Sequence, residues 1–121
     1  MSTIGSDAGF DFAGFRRAFE AQDVDAWAAF FAPDGQWIAY RPGKPPRAPN
    51  VMQGRAAIAE FLHRVKAGNV KLAISDEAIG PARAAFCVTC MLADGRRIIE
   101  HVIIHFAHAK ITKQVDVEAW D

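Results

Sequence analysis

The sequence predicts an α+β domain in which helices from the first half of the chain pack on one face of a curved, largely antiparallel sheet formed by the second half. Three observations predict it. Apolar residues recur at helical spacing before residue 68. From Val70 onward four long runs rich in β-branched and aromatic residues are separated by turn signals. Helices first and strands afterwards is the order of an α+β layer rather than of alternating βαβ units.

The elements follow in order. Phe12, Phe15 and Phe19 lie on one helical face behind a capping Asp11, and the pattern fades near Gln22. Asp23 caps a second helix, Val24 to Phe31, with Trp27, Phe30 and Phe31 apolar, and Pro33-Asp34-Gly35 stops it. Gln36 to Tyr40 reads as a short strand. Arg41 to Asn50 holds four of the six prolines and three basic residues without an acid, so it is predicted to be an exposed loop, read either as a lid that attracts an anionic ligand or as solvated chain. Gly54 precedes the strongest helix, Arg55 to Ala67, where Ile58, Phe61, Leu62 and Val65 fall at i, i+3, i+4 and i+7. Strands are predicted at Val70 to Ala78, Ala82 to Leu92, Arg96 to Phe106 and Lys110 to Trp120, with Gly80-Pro81 and Asp94-Gly95 as turns.

Composition bounds the function. The chain has 121 residues and reads as one domain, 1–121, which at this size buries roughly two-thirds of its unfolded surface around one core. Fourteen basic side chains against fourteen acidic ones remove the electrostatic footprint of a nucleic-acid binder. No stretch approaches the roughly 20 apolar residues that span a bilayer, and Met1 to Phe10 has neither basic residues nor an apolar run, so no membrane partner and a cytoplasmic location are expected. Yet 51% of the residues are hydrophobic, and Ile98, Ile99, Val102, Ile103, Ile104 and Phe106 do not alternate with polar residues. Such a chain must hide apolar surface in a pocket or against a second copy, and a homodimer is expected. Cys87 and Cys90 form a lone C-x-x-C inside an apolar strand. Their odd separation sends them to opposite faces, so they are read as structural thiols.

Three local patterns, taken with this order of elements, resemble the nuclear transport factor 2-like superfamily and, within it, the SnoaL-like polyketide cyclases. They are the helix pair with its exit, Phe15-Arg16-Arg17-Ala18-Phe19 through Phe30-Phe31-Ala32-Pro33-Asp34-Gly35; Gly54-Arg55-Ala56-Ala57-Ile58-Ala59-Glu60-Phe61, similar to a G-x-x-A-I-x-x-F helix opening; and Lys110-Ile111-Thr112-Lys113-Gln114-Val115-Asp116-Val117, similar to a last-strand G-K-I-V-E-H-W-D. The resemblance implies a conical barrel, a mixed or antiparallel sheet wrapped around three helices, with a pocket at its wide end and usually a homodimeric assembly. It implies no cofactor, and it does not name a reaction, because the fold carries cyclases, isomerases, dehydratases, epoxide hydrolases and binding modules alike.

The candidate chemistry centres on Asp116, which stands five residues beyond Ile111, the offset at which the family's last strand places a pocket acid. Among Val115, Val117 and aromatic neighbours such a carboxyl is expected to be desolvated, which raises its pKa toward the range useful in proton transfer. Glu100 and His101 interrupt an apolar strand, and as neighbours they point to opposite faces, so one of them is the expected catalytic partner and parity alone does not say which. Tyr40 and Trp37, with Phe61, Val88 and Cys90, are assigned to the wall of a pocket for a small apolar or aromatic ligand. The base of ketosteroid isomerases is not matched, since Ala39 and Tyr40 occupy those positions. Nor is the Arg-x-Asp pair of epoxide hydrolases, where Phe86, Val88 and Cys90 stand. No metal is expected: His101 and His105, four apart on a strand, lie roughly 13 Å from one another. His63 and His108 are read as solvated or capping groups. Two functions remain open on these residues, a cofactor-free cyclase, isomerase or dehydratase working by proton transfer, and a non-catalytic ligand-binding or dimerisation module.

Overall fold

The computed structural model describes residues 9–121, so most of the stretch Met1 to Phe10 lies outside the described residues. Among the described residues three helices form: α1 (Phe12–Ala21), α2 (Val24–Ala29) and α3 (Arg55–Ala67). Six strands follow and separate them: β1 (Phe31–Tyr40), β2 (Asn50–Gln53), β3 (Lys71–Ile79), β4 (Arg83–Met91), β5 (Arg97–Ala107) and β6 (Lys110–Trp120). They form one mixed sheet in the order β2-β1-β6-β5-β4-β3. Only β1 and β6 run parallel; every other pair is antiparallel. The sheet keeps two edges, β2 and β3, and so is an open cone rather than a closed barrel. Among the described residues no helix is long and apolar enough to cross a membrane.

The helix starts form as their caps require. Asp11 accepts a hydrogen bond from the Gly14 amide at 2.9 Å, and Asp23 accepts one from Ala26 at 3.3 Å. Gly54 opens α3 at φ +91°, a conformation that a residue with a Cβ rarely adopts. The apolar stripe of α3 divides: Ile58 and Leu62 are fully buried, while Phe61 and Val65 are partly covered. Beneath α1, Phe12, Phe15 and Phe19 pack on Phe86 of β4 with ring centroids 5.5–6.3 Å apart.

Two boundaries differ from the sequence expectation. Helix α2 stops at Ala29, and Phe31 already belongs to β1, which contains Pro33-Asp34-Gly35 instead of being delayed by it. The pairing of β1 with β6 is irregular between Phe31 and Gln36, and the proline sits in that interruption, where its missing N–H costs no ladder bond. Strand β2 was absent from the expected elements; four residues after a proline-rich loop carry too little periodicity to declare themselves.

Candidate active site

Sheet parity decides which side chains meet. On β5 the buried row is Ile98, Val102, Ile104 and Phe106, and Glu100 shares that face, whereas His101, Ile103 and Ala107 are exposed on the other. On β6 Gln114 and Asp116 are each 1% exposed and Glu118 continues the same row, while Val117 faces outward. The register sets Glu118 directly opposite Glu100 and Asp116 opposite Val102. Three carboxyl groups thus converge, with side-chain oxygens within 4.8 Å of one another.

They open into a cavity of about 250 Å³ between the sheet and the helices. Trp37 of β1, Phe61 of α3, Cys90 of β4 and Trp120 of β6 give it an aromatic and apolar wall, and Arg41 and Arg64 also line it. Trp37 Nε1 donates to Asp116 Oδ2 at 2.7 Å, and Gln114 Nε2 donates to Asp116 Oδ1 at 3.1 Å. Trp120 Nε1 donates to Glu118 Oε1 at 2.9 Å. Arg41 Nε stands 3.5 Å from Glu118 Oε2, an ion pair without a hydrogen bond at that nitrogen. Each carboxylate on β6 is therefore gripped by an indole. Among the described residues no amide, indole or cationic side chain donates to Glu100, whose hydrogen-bonding neighbour is Asp116 itself.

The electrostatics follow from this geometry. Burial pushes Glu100 up to about 9, and the charges of Asp116 and Glu118 add to the rise while Arg41 opposes it. Burial also raises Asp116, to about 7, but the bonds from Gln114 and Trp37 hold it back. Like charges this close do not all ionise, so the pair keeps a proton at neutral pH. Glu100, raised further and without such donors, holds that proton, while Asp116 with its two donors titrates near neutrality. One acid and one base share a wall, which is the arrangement general acid-base chemistry needs. Burial, with Glu100 and Glu118 nearby, lifts the Cys90 thiol to about 11, so it lines the cavity as an unreactive group. The three acids do not fit a metal ion well: both Asp116 oxygens already accept from N–H donors, and Arg41 supplies positive charge beside Glu118.

The structure sorts the expected site residues. Asp116, Glu100, Trp37, Phe61 and Cys90 come together at the cavity. His101 does not: it points to the outer face and lines a shallow hollow there with Cys87, Ile103 and Val117. Tyr40 lies on the face opposite Trp37, three residues away on the same strand, and contributes no wall. Val88 is buried in the core cluster beside the cavity without lining it. Val115 and Val117 do not desolvate Asp116 either, because they alternate to the other face; the helices and Trp37 do so. Glu118 and Arg41 were missed as site residues. The spacing 114, 116, 118 on a strand is the signal for Glu118, since it repeats the parity of Asp116. Of the loop's basic residues only Arg41 reaches the cavity. Lys44 bonds Asn50 Oδ1 at 2.7 Å, and Arg47 is exposed.

Comparison with known proteins agrees with this architecture. A family model described as a SnoaL-like domain matches residues 12–114. Among solved structures, a putative ketosteroid isomerase from Kribbella flavida superposes with a TM-score of 0.73 at 18% identity, over 91% of this chain and 74% of that one. An NTF2-like protein of unknown function from Mesorhizobium loti gives 0.77 at 14% identity, over 89% and 87%. A putative polyketide cyclase from Sinorhizobium meliloti gives 0.68 at 17% identity, over 87% and 91%. At these identities the likeness concerns the fold. No curated protein matched the chain.

Proposed function

The chain belongs to the SnoaL-like domain family, and from that footing we propose that it binds a small, largely apolar or aromatic molecule and moves protons on it without a cofactor, as a cyclase, isomerase or dehydratase does. Asp116 acts as the base and takes a proton from a carbon beside a carbonyl. Glu100 acts as the acid and delivers its proton to the carbonyl oxygen. Trp37, Phe61 and Cys90 form the wall against which the ligand lies. The observation that carries this reading is the unequal support of two adjoining carboxyls, two donors on Asp116 against none on Glu100 among the described residues.

Its test is hydrogen exchange. Small cyclic and aromatic ketones incubated with the protein in deuterated buffer are expected to exchange their α protons, and Asp116→Asn is expected to abolish the exchange. Ligands that bind without exchanging support the second reading, a ligand-binding or dimerisation module. The homodimer belongs to the proposal as well. Ile103 and Val117, 45% and 57% exposed on the outer sheet face, are the apolar surface that a second copy would cover.

A further inference from the structure

The site holds three charged groups that acid-base chemistry as described leaves unused, Arg41, Arg64 and Glu118. Arg41 is the first residue beyond β1, yet its guanidinium folds back over the Phe61 ring, 5.6 Å from the centroid, and lies 3.5 Å from Glu118 Oε2. The Glu118 side chain is only 7% exposed. Directly across the sheet stands Glu100, so the ladder places two acids opposite one another in a dry site, a pairing that is destabilising unless something answers the charge. Glu100 keeps its proton, and Arg41 answers the charge of Glu118. Arg64 stacks on the same ring at 5.7 Å, but it is largely exposed and paired with Glu60 at 3.3 Å.

We propose that Arg41 is the positioning residue of the acid pair: by neutralising Glu118 it leaves a single proton shared between Glu100 and Asp116, so that one stays an acid and the other a base. This rests on the acid-base reading of the same cavity. The groups that face the pair are Glu118 and Gln114 on β6, Trp37 and Arg41 on β1 and the turn beyond it, Cys90 on β4 and Arg64 on α3; His101 of β5 faces away. Of these, Arg41 and Arg64 carry positive charge. Arg41 lowers the pKa of both Glu100 and Asp116. Without it, the charge of Glu118 faces the pair uncompensated. Asp116 then takes up a proton at a higher pH, and the base is lost at neutrality.

The Trp37 indole N–H, bonded to Asp116 Oδ2, reports that ionisation directly. The chain has three tryptophans, so its indole resonances are few and Trp37→Phe assigns the one required. A pH titration followed by ¹H–¹⁵N NMR is expected to move its midpoint upward by about one pH unit or more in Arg41→Met, which keeps an apolar stem on Phe61 but no charge. Arg41→Lys is expected to restore most of the shift, and Arg64→Met to produce less than half of it. A purely structural role for Arg41 would lower the melting temperature and leave the midpoint in place, and that result overturns the proposal. So does an equal shift in Arg64→Met. If the wild-type indole shows no titration at all between pH 5 and 9, the acid-base reading fails with it. If the wild type titrates and Arg41→Met does not move it, only the role of Arg41 is lost. Should Arg41→Met prove unstable, Arg41→Gln gives the same charge loss and the same expected shift.

Discussion

Folding this chain forces Asp116 from water into a cavity wall, and the cost should be visible as a pH dependence of stability. In the unfolded chain its carboxyl ionises near 3.8, and in the folded one near 7. Between those values the native state binds more protons than the unfolded state, so stability falls as pH rises, by up to about 1.4 kcal/mol per pH unit. The span is about three units, hence roughly 4 kcal/mol lost to Asp116 alone once pH passes well above 7, a large share of the 5–15 kcal/mol typical of a domain. Glu100, raised further, extends the decline toward pH 9. Asp116→Asn removes this titration while preserving shape. The new side chain still accepts from Trp37, and Gln114, whose Oε1 is buried without a partner, turns its amide over to receive the added N–H. Urea unfolding from pH 5 to 9 should therefore show the variant more stable than the wild type at pH 8, with the difference closing toward pH 5. Wild-type stability that is flat or rises over that range, or a variant that runs parallel to it, would refute the argument.

The other expectations are simpler. Trp37→Phe leaves Asp116 with one donor and should cost about 1–3 kcal/mol at pH 8 in urea unfolding and less at pH 5, where the carboxyl is neutral. Leu62→Ala opens a cavity beneath α3 at a fully buried position and should cost about 2–5 kcal/mol at any pH. Ile103→Lys, on the outer face, should convert a dimer to monomers in analytical ultracentrifugation; unchanged mass would place the contact elsewhere. Cys90, raised to about 11, should react with iodoacetamide at pH 8 at least tenfold more slowly than an unperturbed thiol, as peptide mapping of the labelled protein would show.

Much of this fold is legible because its signals are local. The stripe Ile58, Phe61, Leu62, Val65 specifies α3, and Lys110 to Trp120 coincides with β6 at both ends. The site was legible only up to parity. That Glu100 and His101 lie on opposite faces follows from the strand, but which one is inward depends on where the helices dock, a long-range fact. The same limit misplaced Tyr40, which differs from Trp37 by an odd step and so leaves the cavity. Val88 shows a finer limit. Its parity is right and it is buried, but depth along the cone decides whether an inward residue meets core or cavity. For Arg41 the sequence leaves two readings, lid or solvated loop, because composition describes the loop and says nothing of one side chain folding back.

The parallel contact between β1 and β6 has a kinetic consequence. The bond from Trp37 to Asp116 joins residues 79 apart in the chain, with no hairpin to bring them together. Closing so long a loop carries an entropic charge that local contacts do not, and such pairings form slowly. The hairpins β3–β4 and β4–β5 can zip early, whereas β6 must also find β1 before the carboxyl pair has its donors. Competence should therefore arrive in one late step, with the Trp37 indole bond as its clock.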